Sequence, residues 1–144
     1  MKAHRKNLPN VIAVLSLCTM AGVAASVPSF AQSMNAAGNP CSAPGSTADT
    51  VACFAKAYRA EDRELNVLYA RIQKALDDKE RASLVSAERL WVQYRDATCD
   101  AEWALYGGGT GGPPTHLACL AAETKARRDS LLRSYGWRLE KRGL

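Results

Sequence analysis

Between Leu84 and Cys99 the chain reads LVSAERLWVQYRDATC. Leu84, Ala87, Trp91, Tyr94 and Thr98 recur at steps of three and four, the period of an α-helix. Arg95 lies one turn beyond Trp91 and points toward the same face, and Cys99 ends the stripe, where it can tie this helix to the next element. The wider window agrees. From Thr47 to Tyr106 sixty residues pass without Gly or Pro, so nothing breaks a helical backbone. Thr47 or Asp49 is expected to cap the first element. Its apolar face carries Tyr58, Leu65, Tyr69, Ile72 and Leu76, with Leu68 beside them and Asp62 intruding. Asp77 followed by Glu80 has the form of a capping box, which starts a new helix. A single rod through this point would be roughly 90 Å long at about 1.5 Å per residue and would have nothing to bury its stripe against. A hairpin with its turn at 77–80 is therefore expected.

Folding the chain there sets Leu65 opposite Trp91 and Ile72 opposite Leu84 or Val85. It also sets Asp62 opposite Arg95. An unpaired charge on a buried face is costly, so an Asp62–Arg95 ion pair is predicted. Gly107 to Pro114 reads as a loop, and Thr115 as the cap of a third helix striped by Leu117, Ala121, Thr124, Arg128, Leu131 and Tyr135. A second reversal near residue 109 brings Cys99 beside Cys119, which leaves Cys41 for Cys53. The expected fold is a small all-α domain, a three-helix up-down-up antiparallel bundle over 47–138 with two disulfides. A flexible lead-in over 32–46 and a basic, fraying tail over 139–144 flank it.

The first residues change the picture of compartment. Lys2, Arg5 and Lys6 precede a fifteen-residue apolar run, Val11 to Ala25, and Ser29-Phe30-Ala31 has the small-x-small form of a cleavage site. Residues 1–31 read as a signal peptide cut near Ala31, giving a periplasmic or secreted protein. The alternatives are a membrane anchor, for which fifteen residues fall short of the usual span of about 20, and lipidation at Cys18, which follows Leu17 where a lipobox takes a small residue. Without Lys2, Arg5 and Lys6 the 19 basic residues become 16 against 14 acidic ones, a balance of +2. That is weak support for nucleic-acid binding. The four cysteines after the leader suit an oxidising compartment. Gaps of 11, 45 and 19 residues between them do not resemble the close ligand pairs of a zinc site.

Candidate chemistry is sparse. Past the leader the only histidine is His116, so no two-histidine catalytic set and no multi-histidine metal site is possible. The glycine run lacks the Gly-Lys-Ser/Thr of a phosphate loop. Glu61, Asp62 and Glu64 read as a solvated helix face, and so does the basic run Arg127, Arg128, Arg133, Arg138, Lys141 and Arg142. No enzyme activity and no cofactor are expected. The exposed loop, with Gly108, Thr110, Gly112 and His116, is the candidate surface for a protein partner.

Leu65-Asn66 with Tyr69, then Trp91-x-x-Tyr94-Arg95-Asp96-Ala97-x-Cys99, then Gly107-Gly108, Cys119, Thr124 and Arg128 resemble the LprI-type lysozyme inhibitor domain. Cys53 and Asp62 fall in step with that pattern, and the likeness covers about 41–135. Glu88 departs from it, standing where the pattern has glutamine. The resemblance implies an exported bacterial protein that inhibits lysozyme. The expected mode is occlusion by protein–protein contact, with an envelope binding or scaffold module through the basic third helix as the alternative.

Overall fold

The computed structural model describes Met34, residues 38–42 and residues 45–143. The expected signal peptide, with its cleavage near Ala31, lies outside them. Three helices follow in order: α1 Thr47–Ala75, α2 Asp78–Ala104 and α3 Gly112–Arg142. They run up, down and up.

Each start and stop has a local cause. The cap of α1 is Ser46, one residue before the expected pair. Its hydroxyl accepts from the Asp49 N–H at 3.2 Å, and the Asp49 carboxylate accepts from the Ser46 N–H at 3.0 Å. The Ser46 hydroxyl also donates to that carboxylate at 2.7 Å, and this bond first, the backbone N–H second, holds it below its ordinary range. The hairpin turn falls where the capping box predicts it. Asp77 Oδ1 accepts from the Glu80 N–H at 2.8 Å, and Glu80 Oε2 from the Asp77 N–H at 3.1 Å. Arg81 then reaches back, donating to the Gln73 and Leu76 carbonyls that end α1. These are the acceptors a helix terminus leaves unsatisfied.

Helix α3 differs from expectation at both ends. It begins at Gly112, with Pro113 and Pro114 in its first turn, where a missing N–H costs nothing. Thr115 is buried inside the helix rather than capping it. At the other end it continues through Gly136 to Arg142, closed by Gly143 at φ 64°. Leu139, only 4% exposed, anchors the stretch expected to fray.

The main core gathers Leu65, Leu68, Ile72 and Leu76 of the hairpin's first arm, Leu84 of α2, and Leu131 and Leu139 of α3, with Trp91 packed against them. Fully burying one such Leu or Ile stabilises by about 1.5–3 kcal/mol. The Cα traces of α1 and α2 hardly approach within 8 Å; α3 packs along both. Bulky side chains bridge the gap. Arg95 lies 5.8 Å from the Tyr58 ring centre and 5.1 Å from that of Trp91, and Arg127 lies 5.7 Å from the latter.

This wider spacing removes the expected Asp62–Arg95 ion pair. Arg95 instead grips its neighbour Asp96 through Nε and Nη2, at 2.9 and 2.7 Å. Asp62 accepts from Asn66 Nδ2 at 3.0 Å. The charges that do cross between helices lie elsewhere. Arg127 donates to Glu88 at 2.8 Å, Arg128 joins Glu61 at 2.7 Å and also Glu64, and Arg138 meets Glu80. The basic run of α3 and the acids of α1 are thus partly interface, not only solvated face. Glu88, the departure from the family pattern, is the residue that receives Arg127.

Both disulfides join as expected, Cys99–Cys119 as the second reversal requires and Cys41–Cys53 as the remaining pair. Cys41 links to Cys53 and Cys99 to Cys119, with Cα atoms 5.8 and 5.5 Å apart.

Candidate functional site

The end of the bundle that carries the α2–α3 connection is assembled from four segments. These are residues 38–42, the start of α1, the loop between Ala104 and Gly112, and the first turns of α3. The Cys41–Cys53 bridge clips the first segment to α1, and Cys99–Cys119 ties α2 to α3 just below the loop. A small cluster of Cys41, Phe54 and Ala118 packs beneath the first bridge, and Cys99, Cys119 and Leu120 pack around the second.

The loop is a run of tight turns rather than an open strap. Tyr106 N–H donates to the Trp103 carbonyl at 3.0 Å, Gly109 N–H to Tyr106 at 2.8 Å, and Gly112 N–H to Gly109 at 3.1 Å. Gly108 sits at φ 82°, a conformation that L side chains rarely adopt. Gly112 lies under the Trp103 indole so closely that a Cβ there would overlap the ring. The backbone N–H groups of Gly108, Thr110 and Gly111 donate to no backbone carbonyl among the described residues. Two of those residues, Gly108 and Thr110, are exposed. Beside them stand Leu105, 83% exposed, Tyr106 and Trp103.

The four residues that the sequence singles out separate here. Gly108 and Thr110 form the tip. Gly112 is buried in the first turn of α3. His116 is turned onto α2, its Nε2 3.1 Å from Asp100 Oδ1 and its ring 5.3 Å from that of Trp103. It braces the wall instead of projecting from the loop. The α3 terminus offers no spare donors either, because Pro113 and Pro114 have no N–H and Gly112 and Thr115 are already bonded. Sequence reasoning misses Tyr106 as part of this surface. The available signal is its position off the α2 stripe, immediately before the glycines.

Between the loop and the N-terminal segment lies a groove of about 530 Å³, lined by Met34, Asn39, Cys41, Phe54, Thr110 and Pro114 among others. Its edge is firm: Asn39 Oδ1 accepts from the Cys41 N–H at 2.7 Å. Farther along, Glu102 and Glu123 both hold their protons more tightly than ordinary glutamates. Burial is the main cause for each, and for Glu102 the nearby Glu123 charge adds to it. No group of three or more His, Cys, Asp or Glu side chains suited to a metal occurs among the described residues. No described helix is long and apolar enough to cross a membrane.

The geometry is that of a disulfide-linked end with donors at its tip and aromatics at its shoulder. Comparison with known proteins gives it a context. A model of the family described as Lysozyme inhibitor LprI matches residues 39–131. An uncharacterized protein of Rhizobium meliloti (strain 1021) is 32% identical over 104 residues, covering 63% of this chain and 75% of that one. No solved structure matches.

Proposed function

Because the chain belongs to the lysozyme inhibitor LprI family, we propose that it is exported and inhibits a lysozyme by occlusion, with the α2–α3 loop as the contact. The observation that carries this reading is the build of the loop. Its tip presents the N–H groups of Gly108 and Thr110 with no backbone partner, next to Tyr106, on a base held by a disulfide. A lysozyme cleft works through two carboxylates. Backbone N–H groups and the Thr110 hydroxyl are suited to hydrogen-bond such oxygens, and an aromatic shoulder to pack against the cleft wall. Pre-ordering by the turns and the disulfide lowers the entropy cost of binding. The chain itself performs no chemistry in this scheme.

Export is supported by the two disulfides and by the leader pattern ending near Ala31. Typical animal lysozymes are cationic, so a processed chain at +2 gains no long-range steering from its net charge. Association rests on local fit. The test is a muramidase assay with the oxidised protein against several lysozyme types. Inhibition at micromolar inhibitor is expected. Full activity of every lysozyme at micromolar excess rules the proposal out.

A second reading, an envelope binding module, is favoured by one observation. Lys56, Arg59, Arg63, Arg71 and Lys74 of α1 meet no carboxylate within 4 Å among the described residues. Arg127, Arg128 and Arg138 of α3 do. Arg133, Lys141 and Arg142 of α3 also meet none among the described residues, so the basic surface of such a module would draw on α1 and on the C-terminal part of α3. Binding to an anionic envelope glycan that weakens steeply with salt, alongside unimpaired lysozyme, would select it.

A further inference from the structure

Helix α2 turns an apolar line to solvent. Ala87, Leu90, Tyr94, Ala97, Ala101 and Leu105 follow one another at steps of three or four, and all are exposed. Leu90 stands at 67% and Tyr94 at 59%. The inner face of the same helix runs through Leu84, Glu88, Trp91, Arg95 and Cys99. At about 100° per residue the outer line lies roughly a third of a turn from it. A shallow groove between Tyr94, Thr98, Glu102 and Leu105 follows the outer line. Tyr94 and Ala97 belong to the motif around Trp91, yet neither is buried in the core.

The line is complementary to itself. In its central stretch the bulky Leu90 and Tyr94 precede the small Ala97 and Ala101; at its ends Ala87 is small and Leu105, which falls opposite Ser86, is bulky. Two copies laid antiparallel, with facing positions summing to about 191, set each large side chain on a small one, as seams between helices require. Leu90 then meets the second copy's Ala101, and Tyr94 the second copy's Ala97. A parallel arrangement stacks Tyr94 on Tyr94 and leaves voids at the alanines.

Charge points the same way. Arg89 and Asp100 are eleven residues apart, which puts them within about 20° on one edge of the helix. Antiparallel packing brings Arg89 to the second copy's Asp100 at both ends of the seam, whereas a parallel two-fold carries the second copy's charged edge to the opposite side of the seam, where Arg89 and Asp100 cannot meet. Arg89 meets no carboxylate within 4 Å in its own chain among the described residues. The one side chain in salt-bridge range of Asp100 there is His116.

We propose that the outer line of α2 is a docking surface for a second copy of this chain, forming a two-fold antiparallel dimer. Such a contact is isologous and closes on itself. A seam formed by one helix face is smaller than the standard interface of about 800 Å² per copy and falls in the class of weak, transient contacts. The proposal does not depend on the target of the loop.

The test is sedimentation equilibrium of the oxidised protein as recovered from its producing cells. A dimer is expected at about 100 μM. Ala97→Glu puts a carboxylate on the apolar seam twice per dimer. It is expected to weaken association by at least about tenfold with unchanged helical circular dichroism. Orientation is read by thiol cross-linking. A mixture of Leu90→Cys and Ala101→Cys proteins gives a linked heterodimer, and neither variant links to itself. A monomer at 100 μM, a dimer indifferent to Ala97→Glu, or self-linking of Leu90→Cys alone overturns the proposal.

Discussion

The two ends of the bundle close in different ways. At the α1–α2 end the chain reverses across Leu76 and Asp77 alone. A reciprocal capping box, Arg81 on the last carbonyls of α1, and Arg138 with Glu80 hold that turn over the main core. The α2–α3 end takes seven residues to reverse, rests on two small clusters and is held by two disulfides. One end is closed by packing and the other by covalent bonds. The covalent closure leaves the second end free to carry glycines, exposed aromatics and unbonded N–H groups, which a noncovalent turn could not tolerate at the same stability.

Removing core volume at the packed end gives the largest expected effect. Ile72→Ala or Leu84→Ala, at side chains 0% and 2% exposed, should cost about 2–5 kcal/mol in urea unfolding. A loss under about 1 kcal/mol would show that this end is not where stability resides. Next comes the bridge at the other end. Replacing Cys99 and Cys119 together by alanine should cost about 3 kcal/mol on the loop-entropy model. Hydrogen exchange should accelerate around residues 99–119 and stay slow around 72–84. Uniform acceleration would erase the distinction between the ends.

The distinction is partly legible in the sequence. The missing Gly and Pro over Thr47–Tyr106 and the Asp77–Glu80 capping box specify two helices and their turn, because both act within a few residues. The Cys99–Cys119 bridge follows from the direction of the chain, and Cys41–Cys53 from what remains. Helix rotation is harder to read. Apolar residues on α2 span more than half its circumference, so spacing alone cannot decide between Tyr94 and Val92 or Glu88 for the inner face. The answer comes from α3, which lies along α1 as well as α2 and draws Glu88 and Cys99 inward through Arg127 and Cys119. The same intrusion separates α1 from α2 and undoes the Asp62–Arg95 pair. At the site, Gly108 and Thr110 are legible from composition. The inward turn of His116 depends on Asp100 and Trp103, sixteen and thirteen residues away, and no local pattern announces it.

Smaller effects sharpen the contrast. Asp77→Ala should cost about 1 kcal/mol through loss of the cap. At the start of α3 no side chain caps, so no single substitution there has an equivalent cap to remove. At the bridged end, Glu102 binds its proton more tightly in the native than in the unfolded chain, mainly because of burial. The native state therefore holds more protons just above the ordinary glutamate value of 4.5, and stability should fall as pH rises through that window. Glu102→Gln should flatten the slope, as urea midpoints across the window will show.

The most direct test of the division of labour compares inhibition by two exposed-site variants, one at each end. Thr110→Glu places a carboxylate at the loop tip, where it repels the acidic groups of a lysozyme cleft, and Lys79→Glu places one beside the packed turn. With both variants folded, Thr110→Glu is predicted to lose at least about tenfold in inhibitory potency, equivalent to about 1.4 kcal/mol, while Lys79→Glu matches the parent. Equal potency for Thr110→Glu and the parent, or a loss confined to Lys79→Glu, would contradict a loop-tip contact.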